Sequence, residues 1–108
     1  MSNDQGMKPR LLLVEDDAVS RSFMAAALEA LPAQVDLADT MAAALAMEGS
    51  HELWLLDANL ADGSGIDLLG KLRARFPGIP ALAHTADHSP ALHAQLLAAG
   101  FDDVFTKP

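Results

Sequence analysis

The sequence predicts an α/β fold in which five parallel strands form one sheet and helices pack against it. Three observations predict this. Apolar runs of strand length recur five times along the 108 residues. Most of the segments between them carry helix caps or helix stops. The first and third runs are continuously apolar, as strands covered on both faces are. Strands and helices alternating in this way imply a parallel sheet with right-handed crossovers.

The elements follow in order. Residues 10–15, RLLLVE, form the first strand, and Asp17 is placed to cap a helix through FMAAALEAL, which Pro32 stops. VDLA at 35–38 reads as a short strand, and Thr40 caps an alanine-rich helix ending near Gly49. ELWLLD at 52–57 is the third strand, with Trp54 as a packing residue. In the turn-rich DANLADGSG that follows, Gly63 and Gly65 permit the turn. Neither GxGxxG nor GxxxxGKS/T is present, so these glycines form no phosphate-cradling loop. The helix IDLLGKLRARF runs to Pro77-Gly78. IPALAHT at 79–85 is the fourth strand, and Ser89-Pro90 sets an N-cap before a proline at the first helical position. That helix ends at Gly100, and FDDVFT is the fifth strand.

Composition bounds the function. About half of the residues are hydrophobic, which suits one globular domain, read as residues 9–108 behind a polar tail at 1–8. No apolar run approaches the ~20 residues of a membrane span, and MSNDQGMKPR lacks the apolar core of a secretory signal. The absence of cysteine fits a reducing, cytoplasmic setting. Fifteen acids against seven Lys and Arg give a formal charge of −8, which argues against direct nucleic-acid binding. Five parallel strands normally carry five helices, and here the chain stops at Pro108 after the fifth strand, so the fifth helix is expected to be lacking.

The polar residues collect at strand ends. In open parallel sheets, ligands bind outside the carboxyl ends of the strands, where strand order reverses. The first strand delivers Glu15 and Asp16 there, the third Asp57, the fourth Thr85 and the fifth Lys107. In a flavodoxin-like doubly wound order, 2-1-3-4-5, the first and third strands are neighbours and three carboxylates converge. Two carboxylates ~4–5 Å apart repel by roughly 3–4 kcal/mol at an effective dielectric of 20, so such a trio takes up protons or binds a cation. Oxygen donors alone suit Mg²⁺. Lys107 then brings the site near neutrality, and a phosphoryl group can approach it. His84, His88 and His93 do not form a zinc motif by their spacing, because they fall on a strand end, a loop and a helix.

LLLVEDD, LLDANLADGSG, PALAHTAD and DDVFTKP together resemble the receiver domain of bacterial two-component response regulators, over residues 10–108. The resemblance implies a phosphoacceptor switch rather than a turnover enzyme. Asp57 would take a phosphoryl group from the phosphohistidine of a histidine kinase or phosphotransfer protein. Asp16 would bind Mg²⁺ directly and Glu15 through a water, with Asp57 giving a side-chain oxygen and Asn59 its backbone carbonyl. Thr85 and Lys107 would bind phosphoryl oxygens, and small Ala86 would leave the site open. Asn59 and Asp87 match positions that tune hydrolysis of the acyl phosphate. A downstream output domain or protein would read the change. Three departures stand out: Ala61 replaces the usual proline, Val104 replaces the aromatic that usually moves inward, and the fifth helix is absent. With that helix gone, the uncovered sheet face is expected to drive self-association, or else the chain continues natively into a helix and an output domain; the carboxylate of Pro108 is expected to draw Lys107 away from the site. Two other functions compete. One is an interaction module that no longer needs phosphate. The other is an aspartate-nucleophile phosphohydrolase, disfavoured because Asn59 stands where such enzymes need a general acid.

Overall fold

The computed structural model describes residues 8–107; most of the expected tail, and Pro108, lie outside them. The chain runs β1 (Arg10–Val14), α1 (Ala18–Glu29), β2 (Gln34–Ala38), α2 (Met41–Ala46), β3 (Leu53–Asp57), β4 (Asn59–Leu60), β5 (Gly63–Ser64), α3 (Gly65–Arg75), β6 (Ala81–Thr85), α4 (Pro90–Ala98) and β7 (Asp103–Thr106). Five strands form one parallel sheet in the order β2-β1-β3-β6-β7, which is the expected 2-1-3-4-5 arrangement. β1 and β3 are therefore neighbours at the point where strand order reverses, and their carboxyl ends share a rim. β4 and β5 form a separate two-stranded hairpin.

The helices start where capping side chains are available. Asp17 accepts from Ser20 N at 2.8 Å, Thr40 from Ala43 N at 3.0 Å, Ser64 from Asp67 N at 3.0 Å and Ser89 from Leu92 N at 3.3 Å. Pro90 sits in the first turn of α4, where its missing N–H costs nothing. α2 is shorter than its alanine-rich sequence implies and ends at Ala46, not near Gly49. Tertiary contacts explain this: Met47 turns into extended backbone and packs against the core, while Arg75 of α3 donates to the carbonyl of Leu45 at 2.7 Å. Gly49 then supplies the left-handed turn, at φ 81°, that leads into His51.

The sheet is covered unequally. On one face α2, α3 and α4 enclose a large cluster that includes Leu12, Val14, Trp54, Leu56, Leu68 and Leu96. On the other, α1 alone packs Met24, Ala25 and Leu28 over Leu13, Leu55 and Leu82. Among the described residues there are four helices, and none joins α1 on its face. Val19 and Phe23 of α1 and Phe105 of β7 stay exposed, and an open cavity of about 270 Å³ is lined by Val19, Ser20, Phe23, Met24 and Lys107. The sheet face is thus left partly uncovered, as the element count implies.

Far from the functional rim, Arg10, Asp36 and His51 hold the start of the sheet. Arg10 Nη2 lies 2.6 Å and His51 Nε2 2.8 Å from Asp36 Oδ2. Burial opposes its charge, yet the hydrogen bonds from His51 and Arg10 hold the Asp36 carboxyl below its ordinary 3.8. A depressed carboxylate contributes stability above its unfolded value and loses it as pH falls through the folded one. Asp36→Asn should therefore keep its stability gap to the parent from neutral pH down to about 3.8 and narrow it as urea unfolding is repeated below that value.

Gly65 is required for close approach rather than for a turn, since its φ is not positive. A Cβ there would lie 2.4 Å from the carbonyl oxygen of Asp57, whereas one at Gly70 would meet nothing within 4 Å. Gly65→Ala should destabilise the domain by about 1–3 kcal/mol in urea unfolding. Gly70→Ala, on the open side of the same helix, should stabilise it by up to about 1 kcal/mol.

Candidate functional site

Strand alternation decides which side chains meet at the rim. Glu15 continues the face of Leu13, Asp57 that of Leu55, and His84 that of Leu82, because every second residue points the same way. Asp57 and His84 are also register partners across β3 and β6, and Ala58 N donates to the carbonyl of His84 at 2.9 Å. Three polar residues thereby arrive, buried, at the end of the face that α1 covers: Glu15 is 0%, Asp57 3% and His84 1% exposed.

Lys107 bridges the two carboxylates and offsets one of their charges. Its Nζ lies 2.7 Å from Glu15 Oε1 and 2.9 Å from Asp57 Oδ2. Partial burial opposes its charge, but the hydrogen bonds to Glu15 and Asp57 win and hold the ammonium above the usual lysine range. It sits at the end of β7 because its backbone N–H donates to the carbonyl of Thr85 at 2.7 Å. Within the described residues Lys107 is engaged at the site, whereas the expected competing carboxylate of Pro108 lies outside them.

The remaining bonds orient each group. Glu15 Oε2 accepts from Asp17 N at 3.0 Å, and the Glu15 carbonyl accepts from Arg21 Nη1 at 2.9 Å. Asp57 Oδ1 accepts from Asn59 N at 3.0 Å, so each Asp57 oxygen has one donor. Thr85 is buried at the end of β6, and its Oγ1 accepts from Asp87 N at 3.0 Å, which leaves the hydroxyl proton free to donate elsewhere. Asp87 Oδ1 in turn accepts from Ser89 N at 2.8 Å, ordering the entry to α4. Asp16, Asn59, Ala86 and Asp87 are exposed around the rim. Val104 is half-buried against the large cluster on the opposite sheet face, while Phe105, the register partner of His84, is exposed on the α1 side.

The structure brings Glu15, Asp57 and Lys107 into direct contact and sets Thr85 beside them through the backbone of Lys107. Asp16 lies next to Glu15 at the rim but outside the group of donor atoms that converge within 4.8 Å, which are those of Glu15, Asp57 and His84. The carboxylate oxygens fit a hard divalent cation, and Mg²⁺ takes such ligands readily. His84, His88 and His93 do not converge: the first is buried on β6, the second is exposed, and the third is on α4.

Two participants were not evident from residue type alone. Asp62, between β4 and β5, accepts from Met41 N at 2.8 Å and Ala42 N at 3.0 Å, clamping the loop after Asp57 to the start of α2. Its two hydrogen bonds and the β4–β5 pairing hold this loop, in which Ala61 stands where proline is usual. No local signal marks a cap reached from twenty residues away. The other is His84, whose position was readable from strand alternation. Burial pushes its imidazolium down to about 4, Glu15 partly opposing and Lys107 adding to the effect. Neither ring nitrogen makes a well-formed hydrogen bond, although the carbonyls of Leu55 and Val14 lie near enough to favour the protonated ring, and Nδ1 lies 3.4 Å from Glu15 Oε1.

Known proteins share this architecture. The response regulator receiver domain family matches residues 11–108. The aerobic respiration control sensor protein ArcB of Escherichia coli is 37% identical over 102 residues, covering 91% of this chain and 13% of ArcB. The probable transcriptional regulatory protein TcrX of Mycobacterium tuberculosis is 34% identical over 110 residues, covering all of this chain and 47% of TcrX. The chain thus spans less than half the length of either relative. The crystal structure of a CheY-like response regulator receiver domain protein from Methanospirillum hungatei superposes with a TM-score of 0.83 at 30% identity, over 94% of this chain and 82% of that one. With the match to the family running over residues 11–108 and the fold superposing over 94% of the chain, this chain belongs to the response regulator receiver domain family.

Proposed function

We propose that Asp57 accepts a phosphoryl group from the phosphohistidine of a histidine kinase or phosphotransfer protein, with Mg²⁺ required. The observation that carries this reading is a buried carboxylate at a strand end whose two oxygens are held separately, one by Asn59 N and one by Lys107. An Asp57 oxygen attacks phosphorus in line, the nitrogen–phosphorus bond breaks, and the imidazole leaves. Glu15, Asp16, Asp57 and the Asn59 carbonyl would hold Mg²⁺, which offsets the charge gathering on the phosphoryl oxygens. Lys107 follows that charge and gives one phosphoryl oxygen a cation; Thr85, its hydroxyl proton unused, donates to another. Charge-assisted bonds of this kind are worth ~1.5–3 kcal/mol each. Two or three of them approach the ~5.5 kcal/mol that moves an equilibrium from 1:99 to 99:1.

The move of Thr85 would pass through Asp87 and Ser89 to α4, which alters the surface read by an output domain or protein. Asn59 and Asp87, exposed on either side of Asp57, are placed to tune hydrolysis, and exposed Ala86 leaves the approach open. Val104 in the aromatic's position leaves the readout to the Thr85 loop. A receiver of this kind works in the cytoplasm, and no helix among the described residues is long and apolar enough to cross a membrane. The exposed Val19, Phe23 and Phe105 surface is the face through which two copies would associate. Light scattering at high concentration should show a dimer; a monomer throughout rejects this contact.

One observation favours a phosphate-independent interaction module: Lys107 already pairs with both Glu15 and Asp57 unaided. Incubation with Mg²⁺ and acetyl phosphate separates the two readings. Intact mass should rise by one phosphoryl group in the parent chain and not in Asp57→Asn. No rise, together with no beryllofluoride binding, selects the module. Lys107→Met should still label but lose the spectral change at Thr85, Asp87 and Ser89 that labelling causes, measured by backbone amide shifts.

A further inference from the structure

We propose that Glu15, Asp57 and His84 form a site for a divalent transition-metal ion that accepts a nitrogen ligand, of the Zn²⁺ or Co²⁺ class. It shares Glu15 and Asp57 with the proposed Mg²⁺ site but needs no phosphotransfer, so it stands apart from the phosphoacceptor reading.

The donor set is built rather than incidental. One donor atom from each of the three residues lies within 4.8 Å of the others, and all three residues are buried. Two ligands bound at ~2.1 Å to a tetrahedral zinc lie about 3.4 Å apart, and His84 Nδ1 is 3.4 Å from Glu15 Oε1. Neither ring nitrogen of His84, which is 1% exposed, makes a well-formed hydrogen bond; the carbonyls of Leu55 and Val14 are the backbone groups near it. A buried polar ring without well-formed hydrogen bonds is costly, so a histidine here is a poor choice for packing alone. A metal would satisfy Nδ1.

Chemistry then separates the candidates. Mg²⁺ prefers oxygen ligands and parts reluctantly with its water, so His84 contributes little to holding it. Zn²⁺ and Co²⁺ take imidazole and carboxylate together, and a three-residue set of this type leaves further positions for water. Two carboxylates and a neutral imidazole balance the charge of a divalent ion, whereas Lys107 offsets only one of the two negative charges in this structure. For the ion to enter, the Lys107 ammonium must leave Glu15 and Asp57. The open cavity of about 270 Å³ that it lines with Val19, Ser20, Phe23 and Met24 gives its side chain a place to go. Binding there would occupy Asp57, so such a metal would act as an antagonist of phosphorylation.

The test uses the ¹⁵N-labelled chain, with the His84 ring signals assigned by backbone-to-ring correlation. Zn²⁺ should shift a His84 ring nitrogen, and Mg²⁺ should leave it in place. By calorimetry, His84→Leu should weaken Zn²⁺ binding at least tenfold and change Mg²⁺ binding by less than twofold. A His84 ring that stays unshifted at saturating Zn²⁺, or Zn²⁺ affinity unchanged in His84→Leu, overturns the proposal. So does a response confined to His51, His88 or His93. If His84→Leu does not fold, the parent spectrum alone decides. Failure of the parent chain to label with acetyl phosphate would sink the phosphoacceptor reading and leave this one intact, since neither measurement involves a phosphodonor.

Discussion

The contact of Lys107 with Glu15 and Asp57 is the constraint on which the rest of the structure turns. Two carboxylates that arrive buried from neighbouring strands repel one another, and the sheet can bring them there only if a cation comes too. The last strand supplies it. β7 pairs with β6 in a register that sets Lys107 N on the carbonyl of Thr85, and the side chain then reaches across to β1 and β3. Order in the sheet and charge balance at its rim are therefore one requirement.

That arrangement explains why the site can respond. A lysine held by two carboxylates has somewhere to go when a third anion appears, because each of its bonds is exchangeable for another charge-assisted one. Its neighbours are tied into short chains of hydrogen bonds rather than buried in apolar packing: Lys107 to Thr85, Thr85 to Asp87, Asp87 to Ser89 at the start of α4. The strand carrying Asp57 is braced from the other side. Gly65 lies so close to the Asp57 carbonyl that no side chain fits, and Asp62 fastens the following loop to α2.

The two faces of the sheet divide the labour in a similar way. The face under α2, α3 and α4 is a closed apolar core built on Trp54, Leu56 and Leu68, and it holds the strands in register. The face under α1 is thinner, with Leu13, Leu55 and Leu82 beneath one helix and with Glu15, Asp57 and His84 at its end. Polar chemistry, the open cavity beside Lys107 and the exposed aromatic residues Phe23 and Phe105 all lie on that side.

Local chemistry was enough to read the strands, the caps and the parallel order, because apolar runs and side-chain oxygens at helix starts act within a few residues. It was also enough to name Glu15, Asp57, Thr85 and Lys107 as residues at strand ends. Three things depended on contacts between distant segments. α2 stops early because Met47 has a core to enter and Arg75 takes the carbonyl of Leu45. Asp62 serves a helix that begins twenty residues earlier in the chain. His84, one residue before Thr85, looks in sequence like any strand-end histidine; strand pairing sets it beside Asp57, buried, with Nδ1 3.4 Å from Glu15 Oε1. Caps and periodicities are properties of neighbours along the chain, but the meeting of β1, β3, β6 and β7 at one rim is a property of the sheet.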